Sequence, residues 1–214
     1  MDFIDADLFR YIEGHTEPEP ELLGRLNRHT HLNVLRPRML SGHFQGRVLS
    51  MFSHMIKPTS ILEIGTYTGY SAICLAEGLQ QNGKLTTIDI NGELESIVRR
   101  FIGDSPYGEQ IKYIIGDAMV EVPKLDATFD LVFIDADKAN YTNYFDLVID
   151  KVKPGGYIMA DNVLWSGKVL EKNRKKDDPD TLTILAFNKK VADDPRVQNV
   201  LLPIRDGLMM LRKI

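Results

Sequence analysis

A chain of 214 residues, 43% hydrophobic and 26% charged, is long enough to bury a full core without disulfides or a structural metal. Its net charge of −4 gives no global signal for nucleic acid or an anionic membrane, although a local basic patch is compatible with an acidic total. One cysteine, Cys74, excludes an intramolecular disulfide. Acidic residues stand at the N-terminus where a signal peptide would be basic, and no apolar run reaches the ~20 residues needed to span a bilayer, so the cytoplasm is the expected compartment.

In chain order, helical composition runs from about Ala6 to Gly14 and from Glu19 to Leu32, around the breaker Glu17-Pro18-Glu19-Pro20. Arg36-Pro37-Arg38 interrupts again. From Gly42 to Ile56, the apolar residues Phe44, Val48, Leu49, Phe52, Met55 and Ile56 recur at helical spacing. Short apolar runs then alternate with helices: Ile61 to Ile64, Leu85 to Ile88, Ile111 to Ile115, Leu131 to Ile134 and Tyr157 to Ala160. Such runs imply strands covered on both faces, hence a parallel α/β sheet. Two last runs, Val197 to Leu202 and Leu208 to Leu211, leave no room for a helix between them and should pair as an antiparallel hairpin. The fold class expected is a doubly wound α/β sheet with one antiparallel strand near its edge, preceded by N-terminal helices. We read residues 1–214 as one domain, with 1–58 its helical segment and 59–214 the sheet core. The charge-dense stretch from Leu170 to Asp180 reads as a surface loop, a solvated linker in preference to a lid.

In an open parallel sheet, ligands bind beyond the carboxyl ends of the strands. After the first run come Gly65-Thr66-Tyr67-Thr68-Gly69, whose glycines permit a tight turn and close approach of backbone to ligand. A dinucleotide site wants glycine where Tyr67 stands, so NAD and FAD are disfavoured and a smaller nucleoside fits better. Asp89, 24 residues beyond Gly65, ends the second run and is placed to accept ribose hydroxyls. With Glu63 and Asp117 it lines a rim of carboxylates that favours a cationic ligand. The fourth and fifth runs end in Asp135 and in Asp161-Asn162. These all-oxygen side chains suit a hard divalent cation, Mg²⁺ first with Mn²⁺ and Ca²⁺ as alternatives, and leave coordination positions open. Read alone, Asp161-Asn162 is equally a turn cap. Lys138, three residues beyond Asp135, is a candidate base, since a nearby cation disfavours an ammonium; the competing reading pairs it with Asp137 at the surface.

At these motifs the chain resembles the cation-dependent O-methyltransferases, the family of catechol and caffeoyl-coenzyme A O-methyltransferases. The resemblance covers most of the sequence from Arg38 to Ile214. It rests on Leu62-Glu63-Ile64-Gly65-Thr66-Tyr67-Thr68-Gly69-Tyr70-Ser71, on Phe133-Ile134-Asp135-Ala136-Asp137-Lys138-Ala139-Asn140-Tyr141, and on Asp161-Asn162-Val163-Leu164-Trp165-Ser166-Gly167. It implies a Rossmann-like sheet of order 3-2-1-4-5-7-6, with strand 7 antiparallel. It implies an S-adenosylmethionine site formed by Met39, Glu63, Gly65, Tyr67, Gly69, Ser71, Asp89, Asp117, Ala118 and Asp135. Asp135, Asp161 and Asn162 become the metal ligands, Lys138 the catalytic base and Trp165 a border of the acceptor. A homodimer is implied too, with residues 1–58 on its acceptor and dimer side. The sequence departs from the family in two places. Val200-Leu201-Leu202-Pro203 lacks the substrate-binding acid of the mammalian catechol enzyme, and Arg36 to His43 is unlike the plant enzymes. His43 is a candidate acceptor contact, with a local hydrogen bond at the start of its helix the blander alternative.

The expected reaction is methyl transfer from S-adenosylmethionine to a small catechol-type phenol. The runner-up acceptor is a hydroxylated tRNA uridine, which also presents two vicinal oxygens. A non-catalytic binding module is disfavoured by the carboxylate–lysine cluster, since a pure binder has no need of it.

Overall fold

The computed structural model describes residues 4–173 and 178–214. Three helices come first: α1 (Ala6–Gly14), α2 (Glu21–Asn33) and α3 (Gly42–Ile56). Asp5 caps α1 by accepting the backbone N–H of Asp7 and of Leu8. Pro20 stands before α2, which therefore begins at Glu21 rather than at the expected Glu19. Strands and helices then alternate: β1 (Ser60–Ile64), α4 (Tyr70–Ala76), β2 (Lys84–Asp89), α5 (Glu95–Gly103), β3 (Ile111–Ile115), α6 (Ala118–Lys124), β4 (Phe129–Ile134), α7 (Tyr141–Ile149), β5 (Val152–Ala160), α8 (Pro179–Asp193), β6 (Val197–Leu202) and β7 (Leu208–Lys213).

The strands form one sheet in the order β3-β2-β1-β4-β5-β7-β6. β1, β2, β3, β4 and β5 run parallel, while β7 lies antiparallel between β5 and β6. The expected hairpin is therefore present, and its second strand is the one that joins the sheet. β5 starts five residues before the apolar run that announced it, because Val152 already pairs with Phe129 of β4; Lys153-Pro154-Gly155-Gly156 then forms an irregular stretch before pairing resumes at Tyr157.

Successive strand residues face opposite sides, and the core divides accordingly. Leu62, Ile64, Val132 and Ile134 pack against α6, α7 and α8, with Phe145 and Phe187 buried among them. Ile61, Leu131 and Phe133 pack against α2, α3, α4 and α5 through Leu26, Leu49, Ile73 and Phe101. Cys74 is buried in this second layer, as its apolar surroundings imply. Helices on both faces leave only the strand ends open, and the carboxyl ends of β1, β2, β4 and β5 share one edge. Among the described residues, no helix is long and apolar enough to cross a membrane. In the stretch from 170 to 180, Glu171–Asn173 forms a short 3-10 turn and Asp178 caps α8; residues 174–177, which the loop reading includes, lie outside the described residues.

Candidate active site

The loop after β1 is shaped by backbone constraints. Gly65 has φ +102°, and a Cβ there would lie 2.1 Å from the carbonyl oxygen of Asp135, so only glycine lets the ends of β1 and β4 come this close. The N–H of Gly65 donates to Ile88 O and that of Asp135 to Ile64 O, which carries the sheet pairing into both loops. Tyr67 holds a left-handed φ of 49°. Its N–H donates to Asp89 Oδ2 at 2.7 Å, and its hydroxyl donates to the carbonyls of Leu35 and Arg36, tying the N-terminal segment to the loop. Asn91 N–H donates to the other oxygen of Asp89 at 2.9 Å. An ionised carboxylate has about four acceptor positions, so two remain for a vicinal diol.

Glu63 is completely buried at the end of β1. One oxygen accepts from Thr87, while Oε1 has no partner among the described residues. Burial first, then Asp135 and Asp89, push its pKa up to about 8, against the hydroxyls of Ser71 and Thr87, which pull it down. A cation beside it would restore the charge. Asp117 accepts the N–H of Met119 as the cap of α6, whose first residue, Ala118, is buried. Met39 ends the short turn Pro37–Met39 and is half exposed.

The second cluster joins β4, β5 and α7. Lys138 is 9% exposed and does not pair with Asp137. Its Nζ donates to Asp135 Oδ1 at 3.2 Å and to the Tyr141 hydroxyl at 2.5 Å; that hydroxyl donates to the carbonyl of Asp161 at 2.9 Å. Asp137 instead accepts from Tyr144 and Asn140. Burial, then Asp135, raises the Tyr141 pKa well above the ordinary phenol value, so its proton stays. Tyr141, one turn beyond Lys138, has a positioning role that sequence reasoning missed, although its i+3 spacing carried the signal.

Asp161 is 3% exposed. Its Oδ2 accepts from Gln45 Nε2 at 2.8 Å, and its Oδ1 has no partner among the described residues. Burial, then Asp135, raises its pKa above the ordinary carboxylate value. Gln45 Oε1 in turn accepts from Arg205 Nη1 at 2.7 Å, so a chain of hydrogen bonds links the β6–β7 turn to Asp161. Gln45 was also missed. A polar residue four positions before Leu49, on the buried face of α3, was its signal.

Among the described residues, no group of three or more His, Cys, Asp and Glu side chains is placed to hold a metal. Asp135, Asp161 and Asn162 are two carboxylates and an amide, an oxygen set that suits a hard cation, and the buried, unpartnered Oδ1 of Asp161 fits such an ion. Asn162 has φ 60°, Trp165 47° and Ser166 52°. Lys168 lies over the Trp165 ring at 5.3 Å and Lys138 at 6.0 Å. His43 makes no local bond at the start of its helix: its Nε2 is bonded to the carbonyl of Glu17, 26 residues away, at 2.6 Å, and the ring also lines a nearby cavity.

A seven-strand sheet of this order, with a glycine loop after β1 and these carboxylates after β4 and β5, defines a Rossmann-like methyltransferase. The O-methyltransferase family model matches residues 3–214, and the chain belongs to that family. It is 36% identical to the caffeoyl-CoA O-methyltransferase of Petroselinum crispum, over 97% of this chain and 90% of that protein. To caffeoyl-CoA O-methyltransferase 5 of Nicotiana tabacum it is 35% identical, over 97% and 91%. Among solved structures, the O-methyltransferase from Bacillus cereus in complex with SAH superposes with a TM-score of 0.89 at 28% identity, covering 97% of each chain. The SAH-bound methyltransferase PaMTH1 of Podospora anserina superposes with a TM-score of 0.90 at 26% identity, covering 97% of this chain and 94% of that one.

Proposed function

We propose that the protein transfers a methyl group from S-adenosylmethionine to one hydroxyl of a small catechol-type phenol, with a divalent cation held by Asp135, Asp161 and Asn162. The observation that carries this reading is the buried cluster in which Lys138 touches Asp135 and Tyr141, beside an Asp161 oxygen that has no partner among the described residues. SAH, bound by two of the structural relatives, is what S-adenosylmethionine becomes once its methyl has left.

Asp89, fixed by two backbone N–H groups, accepts the ribose hydroxyls, and the rim of Glu63 and Asp135 faces the cationic end of the cofactor. A cation at Asp135, Asp161 and Asn162 would supply the positive charge that makes an acceptor hydroxyl easier to ionise. Lys138, held by Asp135 and Tyr141, is the group placed to take the hydroxyl proton, onto Nζ. The phenolate oxygen then forms a bond to the methyl carbon as the carbon–sulfur bond breaks, leaving SAH. Holding oxygen and methyl in line contributes up to roughly 7–11 kcal/mol in favourable cases, and a positioned base about 10²–10⁴-fold.

The test is methylation of a simple catechol by the purified protein. Activity should vanish in chelator and return with Mg²⁺ or Mn²⁺, while calorimetric binding of S-adenosylmethionine largely survives. Lys138→Ala should lower kcat by ~10² or more with cofactor affinity nearly unchanged, and high pH should partly rescue it. Full turnover by Asp161→Ala would remove the metal assignment; a Lys138→Ala effect confined to KM would make that lysine a binding group.

A further inference from the structure

A cavity of about 330 Å³ opens between α1, α2, the start of α3 and the β6–β7 turn, and one residue of its lining, Arg205, is linked through Gln45 to Asp161. Its apolar wall includes Phe9 and Phe44, which meet edge to face at 5.9 Å. Its charged lining is Arg38 and Arg205 against the carboxylate of Glu13.

Arg205 is held in an unusual way. Its backbone has a left-handed φ of 48°, and its Nη1 alone faces the protein, donating to the carbonyls of Leu40 and Ser41 and to Gln45 Oε1. A guanidinium carries five N–H donors in a planar fork. The edge formed by Nε and Nη2 has no partner among the described residues, although the side chain is half-buried. Neither nitrogen is cut off from solvent, so the edge is open to a ligand, and it matches a carboxylate through two parallel hydrogen bonds. Arg38, exposed on the same cavity, also has no ion pair among the described residues. The first turn of α3 lines it too, with no acidic side chain and no side-chain cap, so its positive dipole end reinforces the preference for an anion.

The same Arg205 is two hydrogen bonds from Asp161, through Gln45. We propose that the cavity is a carboxylate subsite for the acceptor, so that the preferred acceptor is a dihydroxylated aromatic acid rather than a neutral or cationic catechol. The proposal rests on the catechol reading of the site: the ring oxygens lie at Asp135, Asp161 and Asn162, and a short side chain carries the carboxylate to the Nε and Nη2 edge of Arg205. The cavity is at the lower end of the roughly 300–1,000 Å³ typical of ligand pockets, a size suited to a small aromatic acid.

The test compares 3,4-dihydroxycinnamate with its methyl ester, with catechol and with dopamine. The acid should exceed the ester in kcat/KM by at least tenfold, with dopamine the poorest. In Arg205→Met and in Arg38→Ala the acid-to-ester ratio should fall toward one, a readout that a general loss of activity does not move. Calorimetric titration of the SAH-bound wild-type protein with acid and ester needs neither methyl transfer nor a variant that folds. If neutral catechols are methylated and the acid has no advantage in rate or binding, the subsite is overturned and the transfer reading stands. If no catechol is methylated yet the acid binds tenfold more tightly than the ester, the transfer reading fails and the anion subsite stands.

Discussion

Glu63 shows what a single buried side chain contributes and what it costs. Its folded pKa of about 8 lies above the ordinary 4.5, because burial disfavours its charge and Asp135 and Asp89 stand near. A raised pKa means the folded state holds the proton more tightly than the unfolded chain does. The stability this contributes is complete below about pH 4.5 and is lost as pH rises through 8. The ligand-free protein should therefore lose up to about 3 kcal/mol from this group alone by neutral pH. Glu63→Gln keeps the shape and the hydroxyl partners but carries no charge. Its melting temperature without ligand should move above that of the parent as pH goes from 5 to 8, by several degrees at the upper end. S-adenosylmethionine, being cationic, should raise the melting temperature of the parent more than that of the variant. An offset between the two that stays constant with pH would mean that folding does not raise the Glu63 pKa. At this scale the sequence was informative where a residue ends an apolar run: Glu63, Asp89, Asp135 and Asp161 all sit where the strand ends placed them. Gln45, Tyr141 and Arg205 were harder to see. Their roles depend on contacts with residues 116, 20 and 160 positions away: helical spacing marked Gln45 and Tyr141 but could not name the residue each meets.

The loop after β5 makes the corresponding point for elements. Apolar runs and turn residues announced every strand, yet the conformation of Asn162 to Gly167 had only Gly167 as a signal. Asn162, Trp165 and Ser166 all take positive φ, a strained arrangement that persists only where surrounding structure imposes it. The hairpin turn between β6 and β7 does so: Asp206 O accepts from Leu164 N–H at 2.8 Å, Gly207 O from Val163 N–H at 3.1 Å, and the Asp206 carboxylate from Ser166 N–H. From α8, Asn188 donates to Val163 O at 2.8 Å. A proposed metal ligand, Asn162, is thus aimed by a turn more than forty residues away in sequence, and β7 must insert beside β5 for that turn to reach it. Hydrogen bonds to a charged group are worth about 1.5–3 kcal/mol. Asp206→Ala removes the bond to Ser166 N–H and should therefore loosen the loop there and lower kcat by about tenfold, while SAH affinity, set at β1 and β2, changes little. Stopped-assay rates and calorimetry on the same preparation check this; an unchanged kcat would show that the backbone contacts of the turn hold the loop without the carboxylate.

For the whole molecule, the question is whether the acceptor is a free small phenol or a base within a folded RNA. Both present two vicinal oxygens, so the carboxylates do not discriminate between them. The surrounding surface does. A tRNA needs a track of Lys and Arg beside the reacting base, and neutralising its phosphates releases counterions. The candidates are Arg36, Arg38, Lys168, Lys172, Arg174, Lys175 and Lys176. Lys168 is already paired with Asp178 at 2.8 Å, and Arg38 lines the 330 Å³ cavity. From Lys172 onward the basic residues share their loop with Glu171, Asp177 and Asp178, which leaves it near +1, four cations against three acids. In a chain of net charge −4, such a loop is too weak to anchor a polyanion. Turnover of 3,4-dihydroxycinnamate should accordingly change by less than about tenfold in kcat/KM between roughly 50 and 200 mM salt, whereas 6–10 phosphate contacts would cost about 10³–10⁵ in affinity. The paired assay offers total RNA from cells lacking the protein, with radiolabelled S-adenosylmethionine and Mg²⁺. Labelled RNA without turnover of any catechol, together with a steep loss of labelling as salt rises, would replace the small-phenol reading with the tRNA one.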